Sequence, residues 1–186
     1  KTTIRVTAAH DEVDLSLELG NTDSVRNEGV ISVASKLSKY HNKPKFDIEI
    51  LPSNIILNDS AWTIGQSTIT YALADYVMDI DNFSLSTDYQ LITADGTASK
   101  SATDSIDVVL NNINLDYLLS YTEASKAISV MGPVTGKAKV YSVFSEPMLE
   151  AQAYIPNGGL NGVYLGDVTA EATLDRENNS ILLYGQ

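Results

Sequence analysis

Side chains able to do chemistry occur throughout this chain of 186 residues, but their spacing fails one catalytic or binding template after another. GPVTGKAK, Gly132–Lys139, comes nearest to a nucleotide loop, which requires G-x-x-x-x-G-K followed by a hydroxyl that holds magnesium. Here the glycines are one residue too close and Ala138 stands in the hydroxyl's place. Lys137 and Lys139 read instead as the wet side of an alternating strand. NGGLNGVYLGD, Asn157–Asp167, is rich in glycine without either phosphate-loop spacing. Its glycines stand where a strand turns or slips and where the backbone needs positive φ or close approach. Asp79 and Asp81 in DIDN begin like a calcium loop, yet the glycine of the sharp turn and the closing glutamate are missing. They read as carboxylates on the outward face of a strand. His10 and His41 are isolated from one another and from any carboxylate cluster, and G-x-S-x-G, S-x-x-K and H-E-x-x-H do not occur. The absence of cysteine excludes thiol catalysis, thiolate metal sites and disulfides. A glycosidase-like carboxylate pair is the remaining enzymatic reading, and no pattern nominates its members. Trp62, Tyr71, Tyr76 and Tyr89 are candidates for stacking on sugars, although tyrosine and tryptophan are equally at home packing in strands. No cofactor, metal or catalytic residue is therefore expected.

The elements that would have to position any site are strands. Apolar residues alternate with polar ones in VTAEATLD, where Val168, Ala170, Ala172 and Leu174 share one face and Thr169, Glu171, Thr173 and Asp175 the other. Leu149, Ala151, Ala153 and Ile155 alternate likewise, as do Val134, Ala138, Val140 and Phe144, and Ile106, Val108 and Leu110. Near Asn82 the parity slips, from Met78 and Ile80 to Phe83 and Leu85, which predicts a bulge or tight bend. Asn58-Asp59, Asp95-Gly96, Gly132-Pro133, Asn157-Gly158-Gly159 and Asn178-Asn179 read as turns. LDYLLSYTEASK, Leu115–Lys126, is the one predicted short helix. Val30, Val33, Leu37 and Tyr40 fit a helical face too, but Gly29, the β-branched content and Pro44 favour strands there.

An excess of 24 acidic over 12 basic residues, net charge -12, repels nucleic acid and anionic membrane surfaces. The basic group Lys36, Lys39, Lys43 and Lys45 around His41 reads as a solvated turn. Apolar runs are far shorter than the about 20 residues of a spanning helix. An antiparallel sheet with one apolar face must cover it with a second sheet, with helices or with a ligand. Helices are scarce, so the sheet either closes as a sandwich or curls into a trough whose lining faces something lipid-like.

The succession LPSNIILNDSAW, DIDNFSLSTDYQLITADGTAS, DSIDVVLNNINLDYLL, MGPVTGKAKV, EPMLEAQAYIPN and LNGVYLGDVTAEATLDRENNSILLYG resembles the repetitive extracytoplasmic region of translocation and assembly module (TamB) proteins. These belong to the AsmA-like superfamily, and the likeness is to the versions found in Bacteroidetes. It covers Leu51 to Gln186 and would make residues 1–50 the end of a preceding β repeat in a fragment of a longer protein. The resemblance implies an all-β, elongated antiparallel meander curled into a U-shaped, β-taco-like trough. It further implies an inner-membrane anchor elsewhere in the protein, a periplasmic location, and an apolar groove carrying phospholipid between the membranes. Outer-membrane protein assembly with an Omp85-type barrel, contacted by other parts of the protein, is the second implied role. Alternation nominates the groove lining as Val134, Ala138, Val140, Phe144, Leu149, Ala151, Ala153, Ile155, Val168, Ala170, Ala172 and Leu174, with small residues keeping the trough open. The alternative is a closed β-sandwich acting as an adhesin or carbohydrate-binding module.

Overall fold

The computed structural model describes residues 2–20, 25–116, 129–175 and 180–185. The alternating segments form one antiparallel sheet of fifteen strands. In chain order these are β1 (Thr2–Ala9), β2 (Glu12–Gly20), β3 (Glu28–Tyr40), β4 (Lys43–Ile50), β5 (Ser53–Leu57), β6 (Ser60–Ile64), β7 (Ser67–Ala72) and β8 (Val77–Ser86). They continue as β9 (Leu91–Ala98), β10 (Ser105–Asn114), β11 (Val130–Met131), β12 (Pro133–Tyr141), β13 (Met148–Leu160), β14 (Val163–Asp175) and β15 (Ser180–Gly185). Several are halves of longer strands. β4 and β5 both run along β3, β6 and β7 both run along β8, and β11 and β12 both run along β13. With each pair of halves counted as one strand, chain neighbours are sheet neighbours, a meander with β1 and β15 at its two ends. A sandwich is corrected by this: every described strand belongs to the one sheet. The sheet also runs unbroken past residue 50, since β4 pairs with β3 on one side and β7 on the other.

Side chains directly opposite in an antiparallel pair share a face, and the registers put the apolar ones together. Leu15 faces Val33, which faces Ile50; Ile48 faces Ile69, which faces Ile80; Leu85 faces Ile92, which faces Leu110. The other face carries threonines and charges, with Lys45–Asp47 at 2.8 Å and Lys139–Asp107 at 3.0 Å. These pairs are half exposed and stabilise the fold little.

The sheet is curled. Ile113 of β10 packs into one buried cluster with Ile55, Trp62 and Ile64 of β5 and β6, although β6 and β10 are three strand spacings apart, about 14 Å in a flat sheet. Part of the curvature has a repeated cause. Asn82, Asn112 and Asn157 each adopt positive φ (58°, 58° and 50°) at a register shift in β8, β10 and β13. At each, the bulged backbone N–H donates to a side chain of the next strand: Asn82 to Asp95 Oδ2 at 3.0 Å, Asn112 to Thr135 Oγ1 at 3.0 Å, Asn157 to Asp167 Oδ1 at 2.9 Å. Asparagine tolerates this left-handed conformation, and a bulge bends its strand and raises the local twist.

The slip expected near Asn82 is present, and strand, not helix, runs from Glu28 to Tyr40. Three expected turns are corrected. Asp95-Gly96 lies inside β9, opposite the first bulge. Gly132-Pro133 lets one long strand continue from β11 to β12, and Asn157-Gly158-Gly159 is the third bulge inside β13, whose turn comes later at Asn161-Gly162. Asn178-Asn179 lies outside the described residues. So does most of the expected helix; its first two residues, Leu115 and Asp116, are helical.

Candidate functional site

The inner face has two textures. Around β5 to β10 its side chains are large and meet each other, with Trp62 2% and Ile113 0% exposed. At β12 to β14 the inner residues are small. Gly136 faces Ala153, which faces Ala170; Ala138 faces Ala151, which faces Ala172. These two rows run across the strands, about 7 Å apart. Branched residues flank them, Val140 opposite Leu149 on one side and Ile155 opposite Val168 on the other. Alanine side chains leave the inner surface low between these ridges.

Where the rows approach the last bulge they form an apolar concavity of about 390 Å³, within the usual size range of small-molecule sites. Val134, Ala151, Ala153, Ile155, Val168, Ala170 and Ala172 line it, all nominated by alternation. Ala138, Val140 and Leu149 share their face but lie outside the concavity. Leu174 is in β14 opposite Ile181, and its side chain lies outside the described residues. Phe144 is a correction. β12 ends at Tyr141, so Phe144 is not a strand residue; its N–H donates to Ser99 O at 3.0 Å and its ring lies 5.9 Å from that of Tyr71 in β7. The segment from Ser142 to Pro147 crosses instead to the turn between β9 and β10, where Ala98, Ser99 and Ser142 are buried.

Sequence reasoning missed Leu115, Val130, Gly159, Leu160, Leu165, Glu171 and Tyr184, which complete the wall. For Gly159, Leu160 and Leu165 the signal is hidden by the bulges, which reset the alternation after Pro156 and at Gly166. No family model matches this chain, and no curated protein or solved structure matches it either.

Glu171 is the one charged residue of the lining, and the remaining polar surroundings lie outside the concavity. Tyr154, on the outer face of β13, donates its hydroxyl to Asp167 Oδ2 at 3.2 Å. This bond raises the tyrosine pKa above its ordinary value, with desolvation and the carboxylate's charge adding to the rise. Lys139 is raised likewise, first by its hydrogen bond to Asp107 and then by that carboxylate's charge. Asp79 accepts from Thr97 Oγ1 at 2.7 Å on the outer face, as expected of a strand carboxylate. Among the residues considered for sugar stacking, Trp62 is core, and Tyr76 carries the Lys100 ammonium over its ring at 4.1 Å.

Proposed function

We propose that this chain is a non-enzymatic, lipid-conducting module of the kind the TamB resemblance implies: a segment of a longer periplasmic bridge between the inner and outer membranes, whose trough holds phospholipid acyl chains. A supporting role in outer-membrane protein assembly, with an Omp85-type barrel bound by other parts of the protein, belongs to the same proposal. One observation carries it. The inner face of β12 to β14 is apolar and continuous across the strands, and no second layer covers it among the described residues. Water against such a surface is unfavourable, and each methylene transferred onto it gains about 0.8 kcal/mol. A chain of methylenes laid along the alanine rows satisfies that surface without a head-group pocket.

The test is native mass spectrometry of the purified chain with phospholipid, alongside the fluorescence of an apolar-surface dye. Retained phospholipid and a dye signal that phospholipid displaces are expected. A lipid-free chain with no dye response removes the proposal.

A further inference from the structure

The hairpin joining β13 and β14 differs from every other turn of the meander. Each of the other connections between antiparallel neighbours carries at least one ionisable side chain, such as Asp11, His41, Asp59, Asp75, Asp88, Asp104 or Glu146. Residues 155–166, IPNGGLNGVYLG, carry no Asp, Glu, Lys, Arg or His, only the phenol of Tyr164, in a chain of net charge -12. The tip is apolar and exposed nonetheless: Val163 is 60%, Tyr164 62% and Leu165 56% exposed, with Leu160 and Met131 beside them. Soluble surfaces rarely gather large apolar side chains this way without a partner.

The tip is also continuous with the concavity. Leu160 and Leu165 line that space and project from the hairpin at the same time. An aromatic with a polar end accompanies them, since the Tyr164 hydroxyl donates to Asn157 Oδ1 at 3.2 Å. Tyrosine and aliphatic side chains on an uncharged loop suit the boundary between head groups and acyl chains.

We propose that the β13–β14 tip docks on a zwitterionic phospholipid bilayer, so that an acyl chain passes from the bilayer into the trough along Leu160 and Leu165 without crossing water. The passage of the chain rests on the lipid-conducting role; the docking does not. The absence of basic residues on the tip and the acidic balance of the whole chain select a zwitterionic over an anionic surface.

Flotation with phosphatidylcholine vesicles tests the docking. The chain is expected to float with them, to keep doing so at high salt, and to float less as phosphatidylglycerol is added. Val163→Asp, which lies outside the concavity, is expected to lower the bound fraction about tenfold. Tyr164→Trp gives a second readout that does not depend on losing binding: blue-shifted emission on vesicle addition, quenched by brominated acyl chains. Ala153→Leu, in the trough, is expected to float normally while retaining less phospholipid. A wild type that stays behind, unchanged flotation of Val163→Asp, or no emission shift in Tyr164→Trp overturns the docking. Vesicle-free self-association abolished by Val163→Asp overturns it too, by assigning the tip to a second copy. Normal flotation with no phospholipid retained by the wild type removes the conduit and leaves the docking standing.

Discussion

Between β5 and β10 the inner face carries Trp62, Ile64, Leu85, Ile92, Leu110 and Ile113, and these fill the space enclosed by the curl. Between β12 and β14 the same face of the same sheet carries Gly136, Ala138, Ala151, Ala153, Ala170 and Ala172, and a concavity remains. Strand pairing and bulge chemistry are alike in the two regions, as the matching bonds from Asn82 and Asn157 show. Side-chain volume is what differs. Large residues turn a curled sheet into a core, and alanines turn it into a trough, because an interior closes only where its side chains sum to the enclosed volume.

The largest effect is expected from emptying the filled region. Trp62→Ala is expected to lower the unfolding free energy by about 3–5 kcal/mol, whereas Ile155→Ala, half-buried on the trough wall, is expected to cost less than half as much. Denaturant titration measures both, and equal losses would mean that the two regions pack alike. Filling is the converse. Ala98, 0% exposed, has no room, so Ala98→Leu is expected to cost about 1–3 kcal/mol from overpacking. Ala153→Leu enters open space, with a stability change below about 1 kcal/mol and a clear loss of bound phospholipid.

Smaller effects are expected where the two regions are alike. Asp95→Ala and Asp167→Ala each strip the acceptor from a bulge N–H and are expected to cost about 1 kcal/mol, with faster hydrogen exchange at Asn82 and Asn157 respectively. The asparagine variants retain a carbonyl acceptor and should recover most of the loss. Smallest is the pH effect. Because folding raises the Tyr154 pKa, its contribution is full below the ordinary tyrosine range and fades as the pH rises through the raised value. Phenolate absorbance in the alkaline range should show one tyrosine titrating earlier in Asp167→Ala than in the wild type.

Alternation made the strands and their apolar face legible, because a one-sided sheet imposes period two on every segment. VTAEATLD needed no tertiary information to be read correctly. The bulges were harder. The slip at Asn82 showed as a change of parity between Ile80 and Phe83, but Asn157 followed by two glycines has the same local chemistry as a hairpin turn. Only the partner strand, with Asp167 ready to accept its N–H, makes it a bulge. Phe144 continued the parity of Val134 and Val140 on paper, while the strand ended three residues earlier at Tyr141. Its crossing to Ser99 depends on a contact 45 residues away in sequence, which periodicity does not encode. The concavity's outer wall, Leu160 and Leu165, was hidden for the same reason as the bulge beside it.

Methyl NMR resolves the two textures of the inner face in one experiment, by titrating a short-chain phosphatidylcholine below its micelle threshold. The Ala151, Ala153, Ala170 and Ala172 methyls are expected to shift and to saturate together, while those of Ile55, Ile64 and Ile113 stay in place. Unmoved alanines, or isoleucines that move equally with them, would contradict a lipid-holding trough.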